Sequence, residues 1–214
     1  MYQPKLHRED RLDVQHQLIA AHPLGLLISA GATGLLANAI PFVLDADASA
    51  KGTLRAHVAR ANPQWLELAA SGSECLVVFQ GPQAYVTPSW YATKAETAKV
   101  VPTWNYAIVQ ARGGARVIHD PAWLRAHVEV LTRAHEDKRA VPWEVSDAPA
   151  DFIEMMLKAI VGIEIPIAAI EGKWKVSQNR PEADRRGVLA GVLSQGVPQS
   201  SMAALVAEYG KIKI

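Results

Sequence analysis

Ten residues near the end of the chain, EGKWKVSQNR (171–180), combine an indole, three cations, a hydroxyl and two side-chain amides. In a strand, the indole and Val176 would share one face, and the two lysines and Ser177 would share the other. Two interpretations stay open. The segment is either a binding strand for a planar, anionic ligand whose ring meets the indole, or an exposed edge strand that its lysines protect from pairing.

A second polar group lies in RAHVARANPQW (55–65), where His57 and Arg60 come at the end of an alternating segment. Asn62-Pro63 then breaks the strand and starts a short predicted helix. A strand end before a helix start suits a phosphate, because helix N-terminal amides add donors to the side chains. A salt-bridged arginine beside a satisfied histidine explains the pattern equally well.

Two proline-aromatic clusters, PSWY (88–91) and PTWNY (102–106), bracket a polar linker that carries Lys94 and Lys99. Aromatic side chains with a polar tip are typical of ligand sites and interfaces, since one end packs and the other donates a hydrogen bond. Half-buried packing against a loop is the alternative for each residue taken singly.

Hydrolytic and metal-dependent chemistry have no support in the sequence. There is no GxSxG, no GxGxxG after a strand, no Walker lysine loop and no HExxH. His127 and His135 are two turns apart on one predicted helix, which indicates solvated helix surface and no metal site. The single cysteine, Cys75, is expected to be a small buried hydrophobe.

The bulk composition is that of a globular protein, with 214 residues, 50% hydrophobic and 20% charged. A net charge of +1 gives no whole-surface attraction to nucleic acid. The N-terminus MYQPKLHRED has no hydrophobic signal region, and no apolar run approaches a membrane span. We therefore expect a cytoplasmic protein without membrane segments.

The hydrophobic pattern predicts a mainly β, α+β fold built as an antiparallel barrel or sandwich. Hairpins are predicted at GATG (31–34), Gly81-Pro82 and Gly113-Gly114, and a turn at Glu171-Gly172. Helices are predicted over 9–22, 63–68 and 121–136, and over 182–194 and 199–209, the last two separated by QGVP. A further helix is predicted from about 149, with Phe152, Ile153, Met156, Leu157 and Ile160 inward. The chain divides into a main domain (1–180) and a C-terminal helical tail (181–214).

Several long segments resemble the PaiB family of FMN-binding negative transcriptional regulators. They are MYQPKLH, HPLGLLIS, IPFVLD, HVARANPQW, FQGPQAYVTPSWY, KVVPTWNY, DAPADFIEMMLKAIVGIEIPI and EGKWKVSQNRPEADRRGV, and they run in family order from residue 1 to about 190. Thr87 departs from the serine expected before Pro88. The resemblance implies an FMN-binding split barrel, a homodimer, and a flavin at the dimer interface.

The resemblance also implies which residues meet the cofactor. The backbone from Asn38 through Ile40 and Pro41 to Phe42 would face the flavin ring. His57, Arg60 and Asn62 would meet the phosphate or ribityl chain. The remaining implied cofactor residues, some of them supplied by the partner subunit, are Ser89, Thr103, Trp104, Asn105, Lys175, Ser177, Gln178 and Arg180.

Three functions follow from this resemblance. The first is regulation through a bound flavin; direct DNA reading is weakly supported, because QSSMAALVAEY, the second helix of the helix-turn-helix candidate, has no lysine or arginine. The second is an FMN-dependent oxidoreductase using a small-molecule substrate or electron donor, with His57 and Tyr106 as the first proton donors to test. The third is a haem-binding protein with His57 as the iron ligand. No catalytic residue is assigned.

Overall fold

The structure, a computed structural model, describes residues 1–32, 34–72, 74–196 and 200–212. These residues form two compact units. Unit 1 comprises Met1–Gln15, Gln80–Val109 and Glu171–Ile214, and unit 2 comprises His16–Phe79 and Gln110–Ile170. Parts of the predicted turn at GATG and of the predicted QGVP connector lie outside the described residues, as does the predicted first residue of the last helix.

Antiparallel strands build both units. The strands are β1 Arg8–Glu9, β2 Leu24–Gly31, β3 Gly34–Pro41, β4 Val43–Asp45, β5 Thr53–Ala59, β6 Glu74–Val86, β7 Thr103–Gly114, β8 Arg116–Ile118, β9 Ile160–Pro166 and β10 Ala169–Lys175. In unit 1 the strand order is β1-β10-β7-β6. Unit 2 contains the orders β6-β2-β3 and β4-β5-β9-β8, and the long strands β6 and β7 have residues in both units.

The helices are short and flank these sheets. They are α1 Leu12–Ala21, α2 Gln64–Ser71, α3 Thr93–Thr97, α4 Pro121–Glu136, α5 Ala150–Lys158, α6 Glu182–Ser194 and α7 Ser200–Gly210. The start of α4 is as predicted, because the Asp120 carboxylate accepts hydrogen bonds from the first-turn amides. In α5, Ile153 and Leu157 are buried as predicted, but Phe152 and Met156 are 46% and 42% exposed. The division of the chain at residue 180 stays a prediction.

Strand β5 shows the predicted alternation. Leu54, Ala56 and Val58 are buried, and they lie opposite the equally buried Ile165, Ile163 and Val161 of β9. The side chains of β5 at the positions between these three point to the other face of this sheet, where they are less buried. That arrangement leaves His57 on the face that α4 and α5 cover.

The hairpin predicted at Gly81-Pro82 is wrong, because β6 continues through both residues from Glu74 to Val86. The buried side chains switch from odd-numbered positions, such as Phe79, to even-numbered ones, such as Ala84. A change of phase within one strand is typical of a local bulge, where glycine and an edge proline are tolerated. These two residues therefore bend the strand instead of ending it.

The hairpin predicted at Gly113-Gly114 and the turn predicted at Glu171-Gly172 are also wrong. Strand β8 pairs with β9 and not with β7, and β10 runs through Gly172 without a turn. A Cβ on Gly113 would lie 2.1 Å from the Pro166 carbonyl oxygen, and one on Gly172 would lie 2.8 Å from the Glu9 carbonyl oxygen. Each glycine permits close passage of another backbone, which the sequence signal does not distinguish from a turn.

Helices α6 and α7 pack on the buried end of β6 and on the 3₁₀ turn Pro88–Trp90, all within unit 1. Two glycines one helical turn apart, Gly187 and Gly191, make room for Trp90. A Cβ on Gly187 would lie 1.9 Å from the Trp90 carbonyl oxygen, and one on Gly191 would lie 2.2 Å from its ring. The glycine pair is therefore a packing requirement of this unit.

Gly187→Ala is expected to lower the free energy of unfolding by about 1–2 kcal/mol. The helix-propensity gain of roughly 1 kcal/mol is outweighed by overpacking against a backbone atom that cannot rotate away. Urea unfolding measures the difference. The control is Gly114→Ala, where a Cβ meets nothing within 4 Å and the effect should stay within about 0.5 kcal/mol. Equal stability of the Gly187→Ala and wild-type proteins would contradict this packing role.

Candidate functional site

The predicted cofactor residues fall into two groups, one in each unit. Unit 2 holds Asn38, Ile40, Pro41, His57, Arg60 and Asn62, and unit 1 holds Ser89, Thr103, Trp104, Asn105, Lys175, Ser177, Gln178 and Arg180. Each group is built by its own strands and has its own contacts.

In unit 1, strand β10 places its side chains alternately, as predicted. Trp174 and Val176 are buried, whereas the lysines on either side of the indole share the opposite face. Of the two interpretations left open, the one in which a flat ligand ring meets the indole does not fit the structure, because Trp174 is only 2% exposed. Of the two lysines on the opposite face, Lys173 is itself only 9% exposed, so Lys175 is the one that a ligand can reach.

Lys175 holds together the start of β7 and the end of β10. Its ammonium group donates hydrogen bonds to the Thr103 hydroxyl and, at 2.9 Å, to the Trp104 carbonyl oxygen. Burial lowers the pKa of Lys175 below its usual 10.5, and the neighbouring charges of Lys173 and Arg180 lower it further. Among the described residues, no carboxylate forms an ion pair with this ammonium group.

Two more cations and an aromatic ring complete this group, which we call the cationic cluster: Lys173, Lys175, Arg180 and Tyr106. The Tyr106 ring centroid lies 5.4 Å from the Lys173 ammonium and 6.0 Å from that of Lys175. Arg180 lies 4.5 Å over the ring of Tyr91. Within the described part of the chain, none of the three cations forms an ion pair with a carboxylate.

Three of the predicted residues near the cluster have internal hydrogen bonds. Asn105 and Ser177 are both buried and exchange hydrogen bonds of 3.0 and 3.1 Å, with Ser177 at a φ of 66°. The Gln178 amide accepts from the Val176 backbone and donates to the carbonyl oxygens of Trp174 and Leu6. These side chains fix the turn after β10 and thereby the position of Arg180.

The remaining two residues of the unit 1 group lie at its surface. Ser89 accepts a hydrogen bond of 3.2 Å from Lys94. The Trp104 indole is 52% exposed and meets Tyr85 edge to face, with 5.8 Å between the ring centroids. Both residues are accessible to a ligand.

In unit 2, two of the residues predicted to meet the phosphate form hydrogen bonds with backbone groups of the same unit. The Arg60 guanidinium donates to the carbonyl oxygens of Lys158 and Ile160, at 2.7 and 2.9 Å. Asn62 accepts from the Gln64 amide at the start of α2. The alternative interpretation, in which Arg60 forms a salt bridge, is not what the structure shows either, since the partners of Arg60 are carbonyl groups.

The predicted ring-facing backbone of unit 2 lies on β3. Asn38 donates a hydrogen bond of 2.9 Å to the side chain of Gln64, which is fully buried and donates in turn to Leu27 and Ser29. Ile40 is buried and Pro41 is half-buried. This backbone is therefore braced from α2.

The prediction that His127 is solvated is wrong. His127 is 5% exposed, and its Nε2 lies 3.1 Å from Nδ1 of His57. The Trp123 ring stacks on His127 at an interplanar angle of 17°. Burial lowers the pKa of both histidines, that of His127 to about 4, with help from the charges of His57 and Arg55. A hydrogen bond between two neutral rings needs one donor and one acceptor nitrogen, which the pair supplies.

No signal in the sequence joins the two histidines, because they are 70 residues apart and meet only when α4 covers β5. Cys75 is 2% exposed, as expected, and burial raises the pKa of its thiol to about 11. No group of three or more histidine, cysteine, aspartate or glutamate side chains that could hold a metal occurs in the described residues. Over the same residues, no helix has the length and apolar character needed to cross a membrane.

Comparison with known proteins decides the family. A family model described as "Putative FMN-binding domain" matches residues 1–169. The chain belongs to this FMN-binding domain family. FMN is therefore its cofactor, and the predicted resemblance to the PaiB family is confirmed by a relative in Bacillus subtilis, the protease synthase and sporulation protein PAI 2. The two are 33% identical over 152 residues, which are 71% of this chain and 70% of the relative.

A relative of full length is also found in a fungus. An uncharacterised protein of Emericella nidulans is 38% identical to this chain over 248 residues, covering 100% of the chain and 99% of the relative. The whole chain, including residues beyond 169, thus has a counterpart in a second protein.

Solved structures confirm the split-barrel fold. The FAD and haem binding protein of Mycobacterium smegmatis gives a TM-score of 0.59 at 16% identity, covering 79% of this chain and 73% of that one. A protein from Bacteroides thetaiotaomicron, described as a "putative 5-nitroimidazole antibiotic resistance protein", gives a TM-score of 0.57 at 12% identity, covering 78% of this chain and 85% of that one. At these identities the likeness concerns the fold alone.

The histidine pair predicts a specific loss of stability in acid. The unfolded His127 binds a proton near its ordinary pKa of 6.5 and the folded residue only near 4. The contribution of the neutral His127 to the free energy of unfolding is therefore complete above about pH 6.5. It falls by up to about 3 kcal/mol as the pH drops toward 4. Urea unfolding as a function of pH should show His127→Gln losing less than the wild type over this interval.

The matched control is His135→Gln, an exposed histidine on the same helix. This variant should follow the wild-type pH dependence. If His127→Gln loses as much stability as the wild type between pH 6.5 and 4, the buried neutral pair does not exist.

Proposed function

We propose that FMN is held against the cationic cluster of unit 1 and that the protein works through the state of this flavin. The observation that supports the proposal is that Lys173 and Lys175 lie beside the Tyr106 ring and Arg180 lies over the Tyr91 ring, with none of the three ion-paired to a carboxylate within the described residues. A phosphate and the electron-rich edge of a flavin would supply the missing negative charge. The donor set therefore fits the cofactor that the family binds.

The roles follow from the chemistry of each group. Lys175 and Arg180 would bind the phosphate, with the Thr103 hydroxyl as a neutral donor beside it. The exposed Trp104 and the Tyr106 ring offer flat surfaces for the isoalloxazine, and Ser89 with Lys94 offers donors at the edge. FMN itself supplies one- and two-electron redox chemistry when it is bound.

A regulatory role through the flavin agrees better with the structure than direct reading of DNA. The described exposed positions of α7 include Ser201, Ala204 and Glu208, with no cation among them. The other face of α7 is buried in unit 1 through Met202 and Val206. A recognition helix needs basic or amide side chains that reach phosphates and base edges, and this helix has none of them exposed.

An FMN-dependent oxidoreductase is the second candidate function. It is favoured by the position of Tyr106, whose phenol ring lies near two lysines. This phenol could donate a proton to a substrate as the flavin reduces it. Turnover with a reduced nicotinamide or another electron donor would distinguish this function from a purely regulatory one.

We also propose a homodimer, on the basis of one sheet face in unit 2. Apart from Glu74 at the start of β6, the outward side chains of β3, β2 and the first half of β6 are apolar: Leu24, Leu26, Ile28, Ala30, Leu35, Ala37, Ala39, Leu76 and Val78. Leu35 is 78% exposed and Leu24 is 63% exposed. A largely apolar face can pair with a second copy of itself across a two-fold axis, which removes this surface from water.

Lys175→Ala is expected to weaken FMN binding at least about tenfold, because a charge-assisted contact is lost. The measurement is the flavin absorbance that the purified protein retains after FMN is added and the sample is desalted, followed by a titration. Lys99→Ala removes an exposed lysine outside the cluster and serves as the control. Unchanged affinity in Lys175→Ala would move the flavin site away from the cluster.

The lowered pKa of Lys175 adds a pH dependence to the same titration. As the pH rises through this pKa, the ammonium loses its charge. FMN affinity should therefore decrease with rising pH, and the decrease should begin before pH 10.5 is reached. Lys175→Arg keeps its charge over this range and should flatten the fall.

Leu26→Arg is expected to convert the dimer to a monomer, because a charge would be buried without a partner at the centre of the apolar face. Sedimentation velocity measures the change. The control is Val141→Arg, at a position 85% exposed and outside this face. A wild-type protein that sediments as a monomer at all concentrations would refute the dimer.

A further inference from the structure

Unit 2 contains an apolar pocket of about 390 Å³ that the proposed flavin site does not use. Helices α4 and α5 and the segment between them form its walls, and β5 and β9 form its floor. Val128, Trp143, Met156 and Leu157 are among its lining residues, and His57 opens onto it from β5. Its size is within the usual range of small-molecule sites.

The pocket has almost no polar groups. Among the described residues, its lining includes no aspartate, glutamate, lysine or arginine, and its polar side chains are His57 and Thr132. An ion buried there would lack a partner of opposite charge, which is costly. The lining therefore selects a neutral ligand. It also excludes FMN, whose phosphate is anionic.

His57 supplies the one directed contact. Its Nδ1 is engaged with His127, which leaves Nε2 as the ring nitrogen for a ligand. The His127 ring is in turn stacked on Trp123, so the imidazole of His57 is braced from behind. A neutral imidazole offers either one donor or one acceptor at this nitrogen, and a hydroxyl group can meet both.

The walls favour an aromatic ring. Trp143 and Met156 are 45% and 42% exposed on this side of the unit, and a thioether and an indole both pack well on flat π-systems. We propose that this pocket binds a neutral aromatic molecule that carries one hydroxyl group, which hydrogen-bonds to His57. This site goes beyond the flavin function and does not depend on it.

The test is a fluorescence titration of the full chain, carrying its FMN, with 2-naphthol at neutral pH. Naphthalene and 2-naphthoate have the same ring and are then used as competitors. We expect 2-naphthol to bind roughly fivefold more tightly than naphthalene, because of the hydrogen bond. It should bind at least about tenfold more tightly than the anion 2-naphthoate, because of the cost of burying an unpaired charge. Equal affinity of all three, or preference for the anion, would overturn the proposal.

A pair of neighbouring substitutions on α4 locates the binding. Thr132→Trp fills the pocket and should weaken 2-naphthol binding at least about tenfold. Arg133→Trp adds the same ring at an exposed position that does not line the pocket, and its affinity should stay within about twofold of the wild type. Equal affinities in the two variants would place the ligand elsewhere.

The flavin absorbance is recorded in the same titration. It should be unchanged, since the pocket and the cationic cluster bind different chemistry. Release of FMN by 2-naphthol would overturn the proposal, because the pocket would then be part of the flavin's own site. A protein that binds 2-naphthol as expected but retains no FMN would refute the flavin proposal alone.

Discussion

The register of β10 is the constraint on which the rest of unit 1 depends. Side chains alternate along a strand, so a slip of one residue would turn the Trp174 indole to the opposite face and bring the two lysines into the apolar packing that Trp174 and Val176 now occupy. The pairing of Gly172 with Glu9 sets this register on one side. On the other side, Lys175 is bonded to the start of β7, and Asn105 is bonded to Ser177. The cationic cluster exists because these contacts hold one register.

The same contacts explain why so many polar residues stand close together in EGKWKVSQNR. Some of them bind the backbone or a side chain of β7, as Gln178 and Ser177 do. Others are left with unneutralised charge facing outward, as Lys175 is. Three cations next to one another repel, so the arrangement costs stability unless an anion binds there. This cost is the physical reason to regard the cluster as a ligand site and not as ordinary strand surface.

In unit 2, the corresponding constraint is the burial of a histidine. The helices α4 and α5 cover the less buried face of β5, and the histidine that they meet there must stay hydrogen-bonded out of water. A second histidine satisfies it without bringing in a charge, since both rings remain neutral under ordinary conditions. The covering is incomplete beside this pair, and an apolar pocket with one available ring nitrogen results. The His57 ring is thus held in place through its Nδ1, and its Nε2 is the nitrogen that a ligand could use.

The sequence by itself determined the family and the approximate bounds of six of the seven described helices, but it missed the short helix α3. Alternation in β5, the Asp120-Pro121 start of α4 and the long motif segments are local patterns, and local patterns can be read without the fold. Only the tertiary structure decided what Gly81, Gly113 and Gly172 do, because a glycine that ends a strand and one that lets two backbones approach look the same in sequence. It also decided that His57 and His127 meet, since contacts between distant segments depend on packing that no local spacing records.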